Sequence, residues 1–437
     1  MRPAVAKNIK RFDFAKKPKK PSSTLNFLAK TILCKPDLKT RNAKIIKRGM
    51  EEYEGKPYLL LINHASMVDL NVMMMATHPY KANNVMTLEG FRDYTEILMR
   101  SMGVLGKRKY VSDVHLVKNI KYCLHELKTV FALFAEARYS LDGRTSFLPE
   151  SLGQLVKILK VPVVMLKIHG NFVTCPQWNK INKKTYVEAE MYPLFTVEDL
   201  KKYSSKELFE KIKEAYQYDD FAWQLENKIK IDHPERAKGL NRLLYKCPKC
   251  GTEGKMEASG ATLSCTECGK TWYMTEYGQL EGDDGRTEFS SIPEWSRWER
   301  DIVRERIRNG TYYFEDTVRV ETLPNSLKFY KQGEGKLVQT PEGTTLTCTC
   351  YGEEITVEKP GIALESMHIE YDYRGNGDCV DISIPDDSFW CYLSKKDVIT
   401  QLAFATEEIH IYAKEKREAE KLARSNKGKE EQENVSN

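Results

Sequence analysis

The spacing of hydrophobic and polar positions changes character along the chain. Between about residues 49 and 240, short apolar runs alternate with segments of helical period. Strands are predicted at 58–62, 84–88, 130–135 and 161–168, and helices at 67–77, 111–127 and 152–159. Strands that alternate with helices favour an α/β fold with a mostly parallel sheet flanked by helices. In such sheets, reactive residues usually lie in the loops that follow the strands.

From about residue 310 the pattern is that of short strands separated by turns rich in Gly, Pro and Asn. Strands are predicted at 317–321, 327–330, 344–350, 354–357, 367–373, 380–384 and 389–393. This pattern predicts a small β-rich barrel or sandwich, closed by a C-terminal helix that ends near residue 421. The polar residues 422–437 are predicted to form a disordered tail.

The net charge of +6 is unevenly distributed. Residues 1–48 carry fifteen Lys or Arg and two acidic residues, so the rest of the chain is net acidic. This segment includes an amphipathic stretch at 24–33, which is either a helix packed on the next domain or an interfacial helix on anionic lipid. The basic arm predicts an anionic partner: a membrane, a nucleic acid or an acidic protein.

Two further absences in the sequence bear on location. No stretch reaches the roughly 18–20 apolar residues needed to cross a bilayer, and the N-terminal residues lack the apolar core of a secretory signal. We therefore expect a cytoplasmic protein. In that compartment the eleven cysteines are expected to be thiols or metal ligands, because disulfides are rare there.

Four cysteines have the spacing of a metal site. Cys247 and Cys250 form one pair, and Cys265 and Cys268 form a second pair after fourteen intervening residues. Each pair is followed by glycine, as in a zinc ribbon. Four thiolates hold Zn²⁺ tetrahedrally and leave no open position for a substrate. We therefore predict a structural zinc site within residues 241–285.

A histidine and an aspartate five residues apart, His64 and Asp69, follow the first predicted strand. A hydroxyl group is a weak nucleophile at neutral pH, and a histidine oriented by a carboxylate can act as the general base that removes its proton. On one helix this offset points the two side chains apart. They can meet only if His64 lies in the loop before the helix and Asp69 in its first turn. With eight histidines in the chain, the spacing alone is also compatible with a structural histidine.

Three further segments accompany the run NHASMVD at 63–69: MRSMGVLGKRK at 99–109, FAEARYS at 134–140 and VPVVML at 161–166. In order and spacing they resemble the four sequence blocks of the glycerol-phosphate and 1-acylglycerol-3-phosphate (lysophosphatidate) acyltransferase family. The resemblance covers residues 45–215. It implies the acyltransferase fold, to which a zinc ribbon and a β-rich domain have been added.

The resemblance also implies roles for individual residues. His64 is the expected base, and Asp69 is expected to orient it. The residues expected to bind the acceptor or its phosphate are Asn63, Gly103, Arg108, Glu136, Arg138 and Ser140. The third segment departs from the usual FPEGTRS, since Ala135 and Ala137 replace proline and glycine, and the arginine comes one position early. Without the neighbouring segments, residues 107–109 are equally a solvated basic loop, and Arg138 a surface residue paired with Glu150 or Asp142.

The function implied by the resemblance is O-acyl transfer from acyl-CoA or acyl carrier protein to a lysophospholipid or glycerol phosphate. The expected acceptor is 1-acyl-sn-glycerol-3-phosphate, and the protein is expected to bind an anionic membrane surface peripherally. Nucleic acid is not an expected partner. The alternative is a non-catalytic zinc-ribbon scaffold or a nucleic-acid-associated protein. The predicted units are a basic arm (1–48), an acyltransferase domain (49–240), the zinc ribbon (241–285), a β-rich domain (286–421) and the tail (422–437).

Overall fold

The computed structural model describes residues 4–435, with side chains described from residue 6 to residue 424. The helices are α1 (Ala4–Lys7), α2 (Ser23–Leu28), α3 (Lys35–Thr40), α4 (Val68–Ala76), α5 (Leu88–Arg92), α6 (Glu96–Ser101), α7 (Val114–His125), α8 (Ser151–Leu159), α9 (Asn171–Thr174), α10 (Val197–Lys202), α11 (Ser205–Tyr216), α12 (Asp220–Glu226), α13 (Ile292–Arg308) and α14 (Ile399–Val435). A π-helical turn, Ala29–Cys34, joins α2 to α3.

The strands fall into three sheets. Those of the first are β1 (Lys44–Lys47), β2 (Leu59–Ile62), β3 (Ala82–Thr87), β4 (Val104–Lys107), β5 (Val130–Phe134), β6 (Val163–His169) and β7 (Glu188–Phe195). Those of the second are β8 (Met256–Ser259), β9 (Thr262–Cys265), β10 (Thr271–Met274) and β11 (Leu280–Gly282). Those of the third are β12 (Phe314–Thr322), β13 (Tyr330–Thr340), β14 (Gly343–Cys350), β15 (Glu353–Pro360), β16 (His368–Glu370), β17 (Cys379–Ser383) and β18 (Ser388–Leu393).

The first sheet has the strand order β1-β7-β6-β2-β5-β3-β4. Five of its six pairings are parallel, and the pairing of β6 with β7 is antiparallel. All four residues of the central strand β2 are buried, which explains its continuous apolar run. The predicted mostly parallel α/β sheet is confirmed, and each strand and helix predicted within residues 49–240 is present with its ends shifted by a few residues.

The third sheet is antiparallel, in the order β15-β14-β13-β12-β18-β17-β16. The prediction of β structure here is confirmed, but the prediction of a barrel or sandwich is wrong. Among the described residues the seven strands form one sheet whose outer strands, β15 and β16, do not pair with each other. Helix α14 packs on this sheet and against α13. The strand predicted at 327–330 meets β13 only at Tyr330, and β13 itself, YKQGEGKLVQT, has charged residues and glycines instead of an alternating apolar pattern.

The last helix is longer than predicted. Its backbone is helical from Ile399 to Val435, which includes most of the stretch predicted to be a disordered tail, while the final two residues lie outside the described part of the chain. Lys, Glu, Gln and Arg predominate in this stretch, and all four have high helix propensity. Polar composition alone therefore does not argue against a helix there.

The basic N-terminal segment is built into the fold. Phe12 is buried beside Phe91, and Arg11 forms an ion pair of 2.9 Å with Asp387. The buried Arg41 donates hydrogen bonds to Asp37 and Thr174. Strand β1 completes the edge of the first sheet. This segment therefore contributes to the core, although part of its surface is apolar and exposed.

One hydrophobic cluster joins the second and third sheets to loops and a helix that follow strands of the first sheet. It includes Trp178 beside the first sheet, Trp272 in the second, Trp295 in α13 and Phe404 in α14. The rings of Trp272 and Trp295 meet edge to face, with centroids 4.8 Å apart. The predicted domain boundaries stay a prediction, but the units they delimit share a core. Among the described residues, none of the helices combines the length and apolar character needed to cross a membrane.

Candidate active site and metal centre

His64 lies in the loop between β2 and α4, and Asp69 lies in the first turn of α4. The Nδ1 atom of His64 is 2.9 Å from Oδ2 of Asp69. The two side chains therefore meet in the way that their five-residue spacing requires. Because the aspartate oxygen accepts, the proton of the neutral imidazole is on Nδ1, and Nε2 is left as an acceptor.

Asp69 is fully buried and hydrogen-bonded at both oxygens. Its Oδ2 atom also accepts the backbone N–H groups of Ala65 (2.7 Å) and Ser66 (3.1 Å), and Oδ1 accepts from the side-chain amide of Asn171 (2.7 Å). A carboxylate with this many donors is held in one orientation. The histidine that it contacts is therefore held in one orientation as well.

Two aromatic rings enclose the imidazole of His64. The ring centroids of Phe134 and Tyr139 lie 4.4 Å and 4.3 Å from that of His64. The His64 side chain is still 21% exposed, and it lines a cavity. Within the described part of the chain, no protein group hydrogen-bonds to Nε2. This atom is therefore free to accept a proton from a molecule in the cavity.

Glu136 joins the two loops around the histidine. One carboxylate oxygen accepts the N–H of His64 and the other accepts the N–H of Ser146, both at 2.6 Å. Burial raises the pKa of Glu136 to about 8, although these two donors oppose the shift. The sequence predicts that Glu136 binds the acceptor. In the structure it lines the cavity, but both of its oxygens are occupied by backbone donors.

The cavity has a volume of about 1150 Å³ and two chemically different halves. One half lies between β5, α7 and α8 and is apolar, lined by Leu116, Val117, Ile120, Leu133, Phe134, Leu152, Leu155 and Ile158. The other half is polar, and its lining includes Glu89, Lys109, His368, Glu370 and Arg374. Such a cavity, which His64 also lines, suits a molecule with a long apolar part and a polar part.

The two arginines predicted to bind phosphate point elsewhere. Arg108 is buried outside the cavity lining, and its guanidinium donates to the carbonyl oxygens of Leu323 and Pro324 and to the hydroxyl of Ser388. It therefore joins β4 to the third sheet. Arg138 borders the cavity, but its guanidinium forms a buried ion pair of 2.5 Å with Glu407 of α14. Neither the solvated loop nor the surface pairing considered for these residues is present.

The other three predicted binding residues lie outside the cavity lining and support loops. The side-chain amide of Asn63 both donates to and accepts from the backbone of Ile168 at 2.8 Å. The backbone N–H of Ser140 donates to the carbonyl oxygen of His64 at 2.9 Å. Gly103 has a φ of +82°, and an added Cβ would lie 2.5 Å from Pro21. Of the eight predicted site residues, His64, Glu136 and Arg138 line the cavity.

The sequence did not reveal several residues that shape the site. Asn171 is 102 positions from Asp69, and His368 belongs to the third sheet, so no local spacing connects either residue with His64. Tyr139 stands at the position where the resembling family has its arginine. Its ring contact with His64 depends on the path of the loop that follows β5.

The four cysteines predicted to bind metal come together at one end of the second sheet. Their sulfur atoms all lie within 4.8 Å of one another. The Sγ atoms of Cys247 and Cys268 are 3.8 Å apart, and those of Cys250 and Cys265 are 3.7 Å apart. Tetrahedral coordination with Zn–S bonds of about 2.3 Å requires sulfur separations of about 3.8 Å. This cluster has the geometry to hold a metal ion.

Comparisons with known proteins give little further information. No family model matches the sequence, and no curated protein matches it. A solved structure that is similar in part is the 1-acyl-sn-glycerophosphate (LPA) acyltransferase PlsC from Thermotoga maritima, with a TM-score of 0.33 and 17% identity. The match covers 44% of this chain and 82% of that chain. A TM-score this low carries no argument about function, so the assignment rests on the geometry described above.

Proposed function

We propose that this protein is an O-acyltransferase in which His64 is the general base. The observation that carries the proposal is the unpartnered Nε2 of a histidine oriented by Asp69, placed at a cavity with one apolar and one polar half. An alcohol is a weak nucleophile at neutral pH, so transfer of an acyl group to it requires a base of this kind. The apolar half suits a fatty acyl chain, and the polar half suits a hydroxyl-bearing acceptor.

The reaction needs no covalent enzyme intermediate. Nε2 of His64 takes the proton of the acceptor hydroxyl while the hydroxyl oxygen attacks the thioester carbonyl carbon. The new C–O bond forms, the C–S bond breaks, and the proton passes from Nε2 to the departing sulfur. Asp69 stabilises the imidazolium that exists between these two proton transfers.

The donor in this proposal is a fatty acyl thioester of CoA or acyl carrier protein. The apolar side chains from α7 and α8 line a groove of the kind that an acyl chain occupies. The acceptor in this proposal is a molecule with a free hydroxyl group, and the class expected from the sequence is a lysophospholipid or another glycerol-type molecule. The 1-acyl-sn-glycerol-3-phosphate expected from the sequence is one of the acceptors to be tested.

The test measures thiol release and ester formation on lipid vesicles with a long-chain acyl-CoA and several acceptors. We expect His64→Ala and Asp69→Asn to lower turnover by roughly 10²–10⁴-fold, with an unchanged circular dichroism spectrum. His115→Ala is the matched control, because His115 is an exposed histidine on α7 outside the cavity lining. Normal turnover by His64→Ala would contradict the proposal. Absence of transfer from both CoA and carrier-protein donors would favour the scaffold alternative, for which nucleic-acid binding should weaken steeply with salt.

We also propose that the N-terminal helical segment binds an anionic membrane surface. Phe27, Leu28, Ile32 and Leu33 are exposed on α2 and the π-helical turn, within the basic part of the chain. Exposed apolar side chains among lysines are typical of interfacial helices. A protein bound at a membrane in this way would share the surface with a lipid acceptor.

Co-sedimentation with vesicles tests the membrane proposal. We expect Phe27→Ala with Ile32→Ala to reduce binding to anionic vesicles while the free energy of unfolding changes by less than about 0.5 kcal/mol, because both side chains are exposed. Phe12→Ala is the contrasting variant, since Phe12 is buried. Loss of this side chain should lower the free energy of unfolding by about 3–5 kcal/mol. Unchanged vesicle binding by the double variant would argue against this surface.

The metal proposed for the cysteine cluster is Zn²⁺ in a structural role. All four ligands are thiolates, so a tetrahedral ion would have no open position for substrate. Binding of this ion would contribute free energy to the folding of the second sheet, which is small.

A further inference from the structure

The polar half of the cavity contains a cluster of four ionisable side chains from two distant parts of the sequence. Glu89 (α5) and Lys109 (after β4) face His368 and Glu370 of β16. The Nζ atom of Lys109 lies 2.8 Å from Nδ1 of His368 and 3.7 Å from Glu89. The Nε2 atom of His368 lies 3.4 Å from Glu370 and 3.9 Å from Glu89.

This cluster lies close to the catalytic histidine. Tyr139 connects the two, because its ring packs on His64 at a centroid distance of 4.3 Å. Burial raises the pKa of Tyr139, and the charges of Asp69, Glu370 and Glu89 raise it further. The tyrosine, His64 and the four side chains of the cluster all line the same cavity. A molecule bound to the cluster can present a hydroxyl group to His64.

His368 has a buried hydrogen-bond donor close to the two carboxylates of the cluster. An ammonium group can only donate, so Nδ1 of His368 accepts from Lys109. Burial lowers the pKa of His368 well below its usual value, and the charges of Lys109 and Arg138 lower it further. The ring is therefore neutral and carries its proton on Nε2. This buried N–H has no hydrogen-bond partner among the described residues.

The same half of the cavity offers little to a phosphate group. Each arginine of the lining has a carboxylate partner among the described residues, Arg138 with Glu407 and Arg374 with Asp93. Lys180 donates to backbone carbonyl oxygens. Lys107 forms no described ion pair, but the charges of Asp113 and Glu365 act on it and oppose the lowering of its pKa by burial.

A phosphate monoester carries a charge of about −1.5 to −2. At this cluster it would have to lie beside the carboxylates of Glu89 and Glu370, which repel it. Hydroxyl groups fit the site better, because each can donate to a carboxylate and accept from the N–H of His368 or the ammonium of Lys109.

We propose that Glu89, Lys109, His368 and Glu370 bind the hydroxyl groups of the acceptor, and that the acceptor is an uncharged polyhydroxylated molecule, such as a sugar or polyol head group, and not a phosphate monoester. This inference rests on the proposed acyltransferase function. One hydroxyl oxygen becomes the ester oxygen, and its proton leaves with the thiol of the donor.

The test compares acceptors at constant acyl-CoA, with thiol release as the common readout. An alkyl glucoside represents the uncharged polyhydroxylated class, and lysophosphatidate and glycerol phosphate represent the phosphate monoesters. We expect a kcat/KM at least about tenfold higher for the glucoside, because buried polar groups discriminate strongly when their partners are wrong. A preference for either phosphate acceptor would overturn the inference and leave the acyltransferase proposal standing. Absence of thiol release with every acceptor would instead remove the proposed function.

Variants of the cluster provide a second readout. We expect His368→Ala and Glu370→Gln to raise the KM for the glucoside about tenfold, the effect of losing a hydrogen bond to a buried polar group, without changing the KM for acyl-CoA. Glu353→Gln is the matched control, since Glu353 is an exposed glutamate on β15 of the same sheet. Equal changes in the KM values of donor and acceptor would contradict a role in acceptor recognition.

Discussion

At the scale of single residues, the loop after β5 holds the imidazole of His64 by several contacts. Glu136 accepts a hydrogen bond from the backbone N–H of His64, and Tyr139 packs on the imidazole ring. Between them, Ala137 has a φ of +58°, in the left-handed region that costs an ordinary residue roughly 1–2 kcal/mol. The resembling family has glycine there, so this chain keeps the turn with a residue that disfavours it. The surrounding contacts must stabilise the conformation.

Glu136→Gln tests this loop. A glutamine has only one acceptor oxygen, so either the N–H of His64 or that of Ser146 loses its partner. We expect the variant to be less stable by about 1–3 kcal/mol in urea unfolding at pH 6, and to have a lower kcat because His64 is less well held. Equal stability of variant and wild type at pH 6 would show that these two hydrogen bonds do not stabilise the loop.

The effect of Glu136→Gln on stability should depend on pH in a defined direction. The pKa of Glu136 is raised to about 8 in the folded protein, so the folded state binds more protons than the unfolded state between the usual glutamate range and pH 8. Wild-type stability therefore falls as pH rises through this window, and the glutamine variant lacks this contribution. The stability difference between the two proteins should be larger at pH 6 than at pH 9. A difference that grows with pH would contradict the raised pKa.

At the scale of elements, α13 and α14 support the active-site loop through a buried ion-pair network. Glu407 of α14 lies 2.5 Å from Arg138 and 2.8 Å from Arg300 of α13, and it accepts a hydrogen bond from Ser366. Burial alone would raise the pKa of Glu407, but the two arginines lower it to about 2. The early position of the arginine in the third segment is thus explained, because Arg138 binds a helix of the C-terminal part.

Removing the charge of Glu407 should lower the stability of the protein considerably. Glu407→Gln leaves Arg138 buried without its partner, which is expected to cost about 3–5 kcal/mol of stability. The matched control is Glu415→Gln, because Glu415 of the same helix pairs with Arg308 of α13 at a half-exposed position. That pair is worth less than about 1 kcal/mol. Urea unfolding of both variants measures the difference, and similar effects would show that burial of the Glu407 pair is not important.

The contribution of the Glu407 ion pair to stability should also depend on pH. Because the folded-state pKa of Glu407 is lowered, its contribution to stability is present above the usual glutamate range and is lost as pH falls towards 2. The difference in stability between wild type and Glu407→Gln should therefore shrink in acid.

At the scale of the whole molecule, the cysteine cluster belongs to the shared core. Cys247 and Cys265 are buried members of the cluster that also contains Trp272, Trp295 and residues of the third sheet. A cysteine cluster at the surface of a separate domain would leave the rest of the protein unaffected when its ion is lost. Here the same loss should weaken the packing of the second and third sheets and of α13.

Metal removal is therefore expected to lower the thermal stability of the entire chain. Cys268→Ser should reduce bound zinc well below one ion per chain and lower the midpoint of thermal unfolding by roughly 5–10 °C, in a single transition. Cys175→Ser is the control, because Cys175 lies outside the metal cluster. Element analysis and calorimetry provide the measurements. Two separate transitions, with only the minor one affected, would show that the ribbon folds independently.

The sequence by itself determined the features that depend on local spacing. Strand β2 reads as a strand because all four of its side chains are buried, and the four cysteines reveal their site because the ligands of each pair lie three positions apart. The meeting of His64 with Asp69 follows from one loop and one helical turn. In each case a few neighbouring residues fix the geometry, so the pattern carries the information.

The tertiary structure decided the features that depend on contacts between distant segments. The neighbouring strands β1 and β7 of the first sheet and the glycine-bearing β13 have mixed polarity, and their pairing partners make them strands. The sequence predicts that Arg108 and Arg138 bind phosphate, but packing of the third sheet and α14 directs both guanidinium groups into the protein. His368 joins the cavity for the same reason. From one backbone position a long side chain can reach many neighbours. Its hydrogen-bond or ion-pair partner is therefore determined by the packing of the whole molecule.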